Sequence, residues 1–442
     1  MKYFGTDGIR GIPFNFPFEP DFIRKIGFSI AKRLKNQNKT VFIARDTRES
    51  GKKITQYLVD GISYSGLNVF DLGVITTPSL AYLLSKNKVS FGVMVSASHN
   101  PPEFNGIKVL TATGEKISKE LEKDIEKIID STGNLEFKKY KTQKKDIIKD
   151  YIDYAVKNFD GKLKGLDIVI DCSNGSAYKI APLIFKKLKV NLEIIGNKPD
   201  GKNINVGCGA LNVKKMRSMV VKSKAFCGIS YDGDSDRCIF SDENGNIIDG
   251  DDMIAALCYY YKQNNLLENN TVVLTHMSNF GLLRFLEENK IKVISVDIGD
   301  RNVSHMMIKS GSILGGEPSG HIIIKRYLPT GDGILTSLEF LSCLTKMNMN
   351  ASDVKKMWER LPSYLGAYRI DKKLNIKKLD DFMSFIKKTE KEIKGRIFVR
   401  YSGTEPVLRV LVEADMPEKK LKEFSDKVFK RYCDITKKIA VK

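Results

Sequence analysis

Short apolar runs alternate with stretches of helical periodicity over most of the chain. Residues 41–44, 68–72, 91–95, 166–171, 225–230, 271–275 and 292–296 are brief runs rich in Val, Ile, Leu and Phe, several breaking at Ser, Pro, Asp or Gly. That pattern predicts buried strands. Between them apolar residues recur three or four apart, as at Phe22, Ile26, Ile30 and Leu34. The spacing predicts helices over 54–65, 115–129, 147–156 and about 181–188, and from Met253 and Gly281 onward. Such alternation points to mainly parallel sheets with helices packed on them. It occurs three times, over 1–150, 151–250 and 251–365. The last stretch, 366–442, has strands near 368–370, 396–400 and 407–413 with helices over 379–393 and 418–436. The fold expected is α/β: three similar mixed α/β domains followed by a smaller α+β C-terminal domain.

The chemistry gathers where the apolar runs break. Strand 91–95 runs into Ser96-Ala97-Ser98-His99-Asn100-Pro101-Pro102, which prolines keep from continuing as helix or ladder. This should be an exposed loop at a strand end, where open α/β sheets place their chemistry. Strand 225–230 delivers Asp232-Gly233-Asp234-Ser235-Asp236-Arg237. On an extended backbone the alternating carboxylates share one face. Three so close repel one another unless a cation sits among them, and a hard divalent ion with oxygen ligands suits them. An EF-hand is the rival, with Glu243 at the twelfth loop position. But Arg237 takes the sixth position, where the turn needs Gly, and strand-like runs flank the loop where helices should stand. Gly315-Gly316-Glu317-Pro318-Ser319-Gly320-His321 supplies a carboxylate, a hydroxyl and an imidazole. Arg400-Tyr401-Ser402-Gly403-Thr404-Glu405-Pro406 with Arg409 supplies an anion cradle. The loop Cys172–Ser176 opens a helix, either as a plain cap or as an anion site.

Taken in order, these stretches resemble the α-D-phosphohexomutase superfamily. The opening Tyr3-Phe4-Gly5-Thr6-Asp7-Gly8-Ile9-Arg10-Gly11 narrows the resemblance to the bacterial phosphoglucosamine mutases. The motifs span residues 3 to 413. The resemblance implies four domains around a central cleft and a phosphoserine at Ser98. It implies one Mg²⁺ per chain on Asp232, Asp234, Asp236 and the Ser98 phosphate. Arg10 would lie near the phosphoryl group, and Lys108 and His321 are both candidates for acid or base. Glu317 and Ser319 would bind sugar hydroxyls. Ser402, Gly403, Thr404 and Arg409, supported by Arg400, would hold the phosphate that does not react. The reaction implied interconverts glucosamine 6-phosphate and glucosamine 1-phosphate through a hexose bisphosphate, which also serves as activator. Ser235 and Pro318 depart from the family's pattern, which usually has Gly and a polar residue there.

Composition narrows the alternatives. The 442 residues suit about three or four domains. A net charge of +20 fits an anionic substrate, nucleic acid or a membrane surface. Yet the lysines spread along helical faces, as over 119–145, with no compact Arg-rich strip interleaved with aromatics. The partner expected is a small sugar phosphate, with neither nucleic acid nor membrane; oligomeric state is not legible. Seven cysteines without a CxxC pair argue against a disulfide framework or zinc site, and no apolar leader is visible, so the cytoplasm is expected. Rival functions are a phosphomannomutase or phosphoglucomutase with the same machinery, and a non-catalytic Ca²⁺ or polyanion binder.

Overall fold

The computed structural model describes residues 2–159, 161–371, 373–402 and 405–440. The chain divides into two compact units, Met1–Thr275 with Ile291–Met357, and His276–Lys290 with Trp358–Lys442.

The first unit holds three mixed sheets. The first is built from β1 (Ile9–Gly11), β2 (Thr40–Arg45), β3 (Asn68–Val74), β4 (Phe91–Val95), β5 (Asn105–Thr111) and β6 (Gln143–Lys144). Helices α1 (Pro20–Leu34), α2 (Gly51–Tyr64), α3 (Thr77–Lys86), α4 (Lys119–Ser131) and α5 (Ile148–Phe159) accompany it. The second contains β7 (Asp167–Asp171), β8 (Asn191–Ile195), β9 (Cys227–Tyr231), β10 (Cys238–Asp242) and β11 (Ile247–Ile248). With it come α6 (Ala177–Lys187), α7 (Lys214–Ser223) and α8 (Gly250–Gln263). The third has β12 (Thr271–Thr275), β13 (Lys292–Val296), β14 (Leu314–Gly316) and β15 (Ile322–Ile324), with α10 (Asp300–Ser310) and α11 (Gly333–Met347). In the second unit α9 (Phe280–Glu288), α12 (Asp380–Ile393) and α13 (Glu418–Ala440) accompany β16 (Ser363–Arg369), β17 (Arg396–Tyr401) and β18 (Val407–Glu413).

One motif recurs in the first unit. Strands β3-β2-β4, β8-β7-β9 and β13-β12-β14 are parallel trios, and each third strand pairs antiparallel with its successor, β5, β10 or β15. The three α/β segments expected from periodicity are therefore alike in topology. The last sheet is antiparallel throughout, in the order β16-β18-β17. All four chemistry-bearing loops lie in antiparallel connections: β4–β5, β9–β10, β14–β15 and β17–β18.

Burial explains the elements. Every residue of β4 and of β9 is buried, as a strand covered on both faces requires. Helix α1 begins with a Pro in its first turn and buries Ile23, Ile26 and Ile30. Some expected bounds move. Helix α4 starts at Lys119 rather than 115, because the Ser118 hydroxyl caps the Leu121 N–H and Lys116 is drawn into a bridge with Leu110. Helix α6 starts earlier than about 181 and carries Pro182 inside it. All seven cysteines are free thiols, and among the described residues no helix is long and apolar enough to cross a membrane.

Candidate active site

Ser98 is buried rather than exposed, at 1%. Its φ is 51°, the left-handed region that a serine occupies at a cost. Arg48 holds it there. That guanidinium, itself buried, donates to the carbonyls of Ser98 (3.0 Å), Asn100 (2.8 Å), Phe104 (2.9 Å) and Pro101, and its Nε donates to Asp46 (3.0 Å). Asn205 adds bonds to the Ser98 and Asn100 carbonyls at 2.9 and 3.0 Å. Sequence reading missed both. An Arg two residues after a strand-end Asp (Asp46-Thr47-Arg48) was the available signal.

The Ser98 hydroxyl donates to Asp232 Oδ2 at 2.5 Å. Gly233 makes this approach possible, since a Cβ there would stand 2.5 Å from the Ser98 carbonyl. The aspartate loop is not extended, as alternation suggested. It is a tight turn in which Ser235 N–H bonds the Asp232 carbonyl at 3.1 Å, and Ser235 has φ 65°. Carboxylate oxygens of Asp232, Asp234 and Asp236 nevertheless fall within 4.8 Å of one another. Two neighbouring helices steady the loop. At the start of α3, Thr77 N–H bonds the Asp234 carbonyl (3.0 Å) and Thr77 Oγ1 donates to Asp234 Oδ2 (2.5 Å). At the start of α11, Gly333 N–H bonds the Ser235 carbonyl (3.0 Å).

Lys108 Nζ enters this cluster from β5. It lies 2.7 Å from Asp234 Oδ2, 2.9 Å from Asp7 Oδ2 and 3.5 Å from Asp236 Oδ2. Arg10 pairs with Asp7 at 2.8 Å and donates to Asn100 Oδ1 at 2.7 Å. Burial pushes the Asp234 carboxyl up, but Lys108 outweighs it and the net shift is downward. Asp232 goes the other way: burial, then the neighbouring Asp236 and Asp234, raise it well above the carboxylate range. Burial and Arg237 lower His99 to about 4, so it is neutral near pH 7; its Nδ1 lies 3.4 Å from the Ser98 hydroxyl.

The donor set suits a hard divalent cation. Among the described residues Asp234 Oδ1 and Asp236 Oδ1 are buried acceptors without a hydrogen-bond partner, the latter with the Arg237 Nε 3.8 Å away, while Asp232 Oδ1 takes the Arg237 N–H at 3.2 Å. Buried lone pairs of this kind are costly unless something binds them.

In the third hairpin, Glu317 Oε1 accepts the Gly299 N–H at 2.9 Å and its Oε2 accepts the Ser319 hydroxyl at 3.3 Å. His321 is buried and faces Asp300. In the second unit, Arg400 and Arg409 stand directly opposite across β17 and β18. The Ser402 N–H bonds the Val407 carbonyl (2.8 Å), and the Ser402 carbonyl accepts Lys373 Nζ (2.7 Å). Gly403 and Thr404 lie outside the described residues. Ser98, Arg10, Lys108 and the three aspartates thus share one cluster. Asp7, Lys116 and Asp300, absent from the sequence-based set, link it to His321.

Four family models match in order. They are phosphoglucomutase/phosphomannomutase alpha/beta/alpha domain I over residues 1–136, domain II over 149–245, domain III over 249–361, and the C-terminal domain over 347–431. A phosphoglucosamine mutase of Caldicellulosiruptor bescii is 40% identical over 427 residues, 94% of this chain and 95% of that one. One from Thermodesulfovibrio yellowstonii is 39% identical over 450 residues, covering 97% and 98%. Among solved structures, a phosphoglucomutase/phosphomannomutase family protein from Burkholderia thailandensis superposes with a TM-score of 0.81 at 22% identity, covering 97% of this chain and 96% of that one. An Aspergillus fumigatus N-acetylphosphoglucosamine mutase, solved with GlcNAc-6P and magnesium, gives 0.70 at 17% identity, covering 98% and 96%.

Proposed function

The chain belongs to the phosphoglucosamine mutase family, and we propose that it interconverts glucosamine 6-phosphate and glucosamine 1-phosphate by phosphoryl transfer through Ser98. The observation that carries this is the Ser98 hydroxyl, buried on Asp232 beside two carboxylate oxygens that accept no hydrogen bond among the described residues.

Ser98 is the phosphate carrier in this reading. The Oγ–P bond breaks as the sugar oxygen forms its own bond to phosphorus, giving a hexose bisphosphate. The sugar hydroxyl loses its proton to a base and the Ser98 oxygen takes one up; the other phosphate then returns to Ser98. Asp232, Asp234 and Asp236 would hold a Mg²⁺ ion with the serine-borne phosphate. When bound, that ion withdraws negative charge from the transferring group. Lys108 and Arg10 supply fixed positive charge beside Ser98, and a guanidinium's paired donors match phosphate oxygens. The strained Ser98 backbone, clamped by Arg48, keeps the oxygen aimed without reorganisation. Glu317 and Ser319 bind sugar hydroxyls. Arg409 and Ser402, with Gly403 and Thr404, hold the phosphate that does not react, supported by Arg400. The segments 1–150, 151–250, 251–365 and 366–442 divide these tasks as phosphoserine, metal, sugar and phosphate-binding domains. We assign the enzyme to the cytoplasm, with a small sugar phosphate as partner and hexose bisphosphate as activator.

The test is Ser98→Ala with intact-mass measurement. The parent should carry one phosphate after incubation with hexose bisphosphate, and the variant should carry none and show no turnover. Near-normal turnover by the variant excludes a phosphoserine route. Turnover of glucosamine, glucose and mannose phosphates compared on the parent decides the sugar; preference for either neutral hexose overturns the glucosamine assignment.

A further inference from the structure

His321 closes the third hairpin at 2% exposure, and neither ring nitrogen has a hydrogen-bond partner among the described residues. Gly331 closes one side of the ring: a Cβ built there would stand 2.4 Å from Nε2 and 2.5 Å from Cε1. A carboxylate stands near that nitrogen as well. Asp300 Oδ2 lies 3.5 Å from Nε2.

That carboxylate is itself held. Lys116 Nζ pairs with the same Oδ2 and, at 2.5 Å, with Asp7 Oδ1. Asp7 Oδ2 in turn pairs with Lys108 and Arg10. The charges alternate without a gap: Asp300, Lys116, Asp7, Lys108, Asp234. Asp300 is the first residue of α10, and its neighbour Arg301 grips the buried Glu122 of α4 through both oxygens, at 2.9 and 2.5 Å. The start of the helix is therefore pinned, and Lys116 holds the Asp300 carboxylate beside the ring.

We propose that Asp300 is a positioning residue for His321: its carboxylate takes the Nε2–H of the ring, which leaves Nδ1 as the lone-pair nitrogen able to hold a proton from the sugar hydroxyl. The proposal rests on the function assigned above. A neutral imidazole has two tautomers, and an acceptor at one nitrogen selects between them. Without substrate, contacts of this kind are commonly long and tighten in the complex, so 3.5 Å suits a poised pair. Lys116 has the complementary task. Burial alone would push the Asp300 carboxyl up, but the Lys116 ammonium opposes it most strongly and the net shift is downward, so the group remains an anion able to accept. Lys116 also links His321 electrostatically to Lys108 through Asp7.

The chain has four histidines, so ¹⁵N-histidine-labelled protein gives a readable spectrum, with His321 assigned by its loss in His321→Asn. The neutral His321 ring of the parent should show Nε2 protonated and Nδ1 bare; a ring protonated at Nδ1 overturns the proposal, and this measurement needs no Asp300 variant to fold. Asp300→Asn, checked by circular dichroism, should mix or invert the tautomers. It should lower kcat by roughly 10²- to 10⁴-fold, the range of general acid–base catalysis, and leave KM within about threefold. In a His321→Asn background the same change should cost less than about twofold, since the ring it serves is gone. Full additive losses would mean that Asp300 acts only on the fold, and sink the positioning role. The tautomer is read without substrate. A chain inactive on every sugar phosphate would therefore overturn the proposed reaction and leave the Asp300–His321 pair to stand or fall on its spectrum.

Discussion

In the first unit, the β4–β5 and β9–β10 hairpins interlock opposite charges; in the second, β17 and β18 set two like charges face to face. Lys108 sits among Asp7, Asp234 and Asp236, so each charge there already has a counter-charge within 3.5 Å. Arg400 and Arg409 are partners in an antiparallel register, an arrangement that by itself is destabilising by about 0.2–1 kcal/mol. The same hairpin device thus serves two chemistries. In the reaction proposed, the interlocked region would take up shifts of proton and phosphoryl charge with little net change in field. An anion bound across that pair would offset the repulsion, in keeping with the phosphate-binding role proposed for it.

Asp234→Asn should break the first region most severely. It removes one carboxylate charge from the ion's donor set and the main partner of Lys108, with little change in shape. Binding of Mn²⁺ as a spectroscopic substitute should weaken, and phosphoryl transfer should fall by at least roughly a hundredfold. Chelation of the parent should stop transfer, and Mg²⁺ should restore it. Full activity in excess chelator would remove the metal assignment.

Arg409→Ala is the matching change in the second region. A lost charge-assisted contact of about 1.5–3 kcal/mol weakens binding roughly ten- to a hundredfold. Both substrates and the bisphosphate should bind less well, because each offers a phosphate that does not react. A bisphosphate held less firmly escapes more often, leaving Ser98 without phosphate, so the variant should need more added activator. Steady-state turnover in both directions, with and without hexose bisphosphate, is the measurement. An unchanged KM with unchanged activator dependence would make Arg409 structural.

How much of this was legible in the residues depended on range. Ser98, the aspartates and Arg409 sit in dense local motifs, and 271–275 and 292–296 match strands at both ends. Strands of two or three residues, such as β6, β11, β14 and β15, leave no periodicity to read, so the hairpin around Glu317 looked like a plain loop. Helices α10 and α11 also escaped. Helix α11 is buried along nearly all of its length, so it lacks a polar stripe. Asp7, Lys116 and Asp300 stand far apart in sequence, and nothing local marks them as one network. Burial of Ser98 was hidden for the same reason: the residues that cover and clamp it, Arg48, Asn205 and Gly233, come from distant stretches.

Asp332 sharpens the comparison from inside the first region, as a buried acid held differently from the aspartates beside it. Two N–H groups at the start of α11, from Ile334 and Leu335, bond it at 2.9 Å each, and the Tyr151 hydroxyl donates at 2.8 Å. Burial raises its pKa to about 7. An unfolded aspartate titrates near 3.9. Between those values the folded chain holds the extra proton, so this group's stabilising effect declines as pH rises and levels off above about 7. Asp332→Asn keeps the cap and can meet Tyr151. It should flatten that part of the pH profile and raise stability at pH 8 by up to roughly 4 kcal/mol. Melting curves at pH 5 and pH 8 are the check. A variant equally destabilised at both would mean that the carboxylate is required as an anion.

The smallest expected effect is at Ser235, where the chain departs from the glycine usual in its family. Its φ of 65° is costly for serine, by about 1 kcal/mol or somewhat more. Glycine would relieve that strain but enlarge the unfolded ensemble, which costs about 0.4–1 kcal/mol. The serine side chain gives little in return, since its hydroxyl lies 3.4 Å from both Ser176 Oγ and the Asp232 carbonyl. What shapes the loop is backbone bonding: Ser235 N–H to Asp232, Thr77 N–H to the Asp234 carbonyl, and Gly333 N–H to the Ser235 carbonyl. None of these needs a side chain at 235. Ser235→Gly should therefore shift stability by less than about 1 kcal/mol and leave metal affinity and kcat/KM within about threefold. The three carboxylates would then owe their placement to the strands and helices around them. A tenfold change in Mn²⁺ affinity would instead make the serine hydroxyl part of the ion's surroundings, and would mark the first region as tuned at a position where its family accepts glycine.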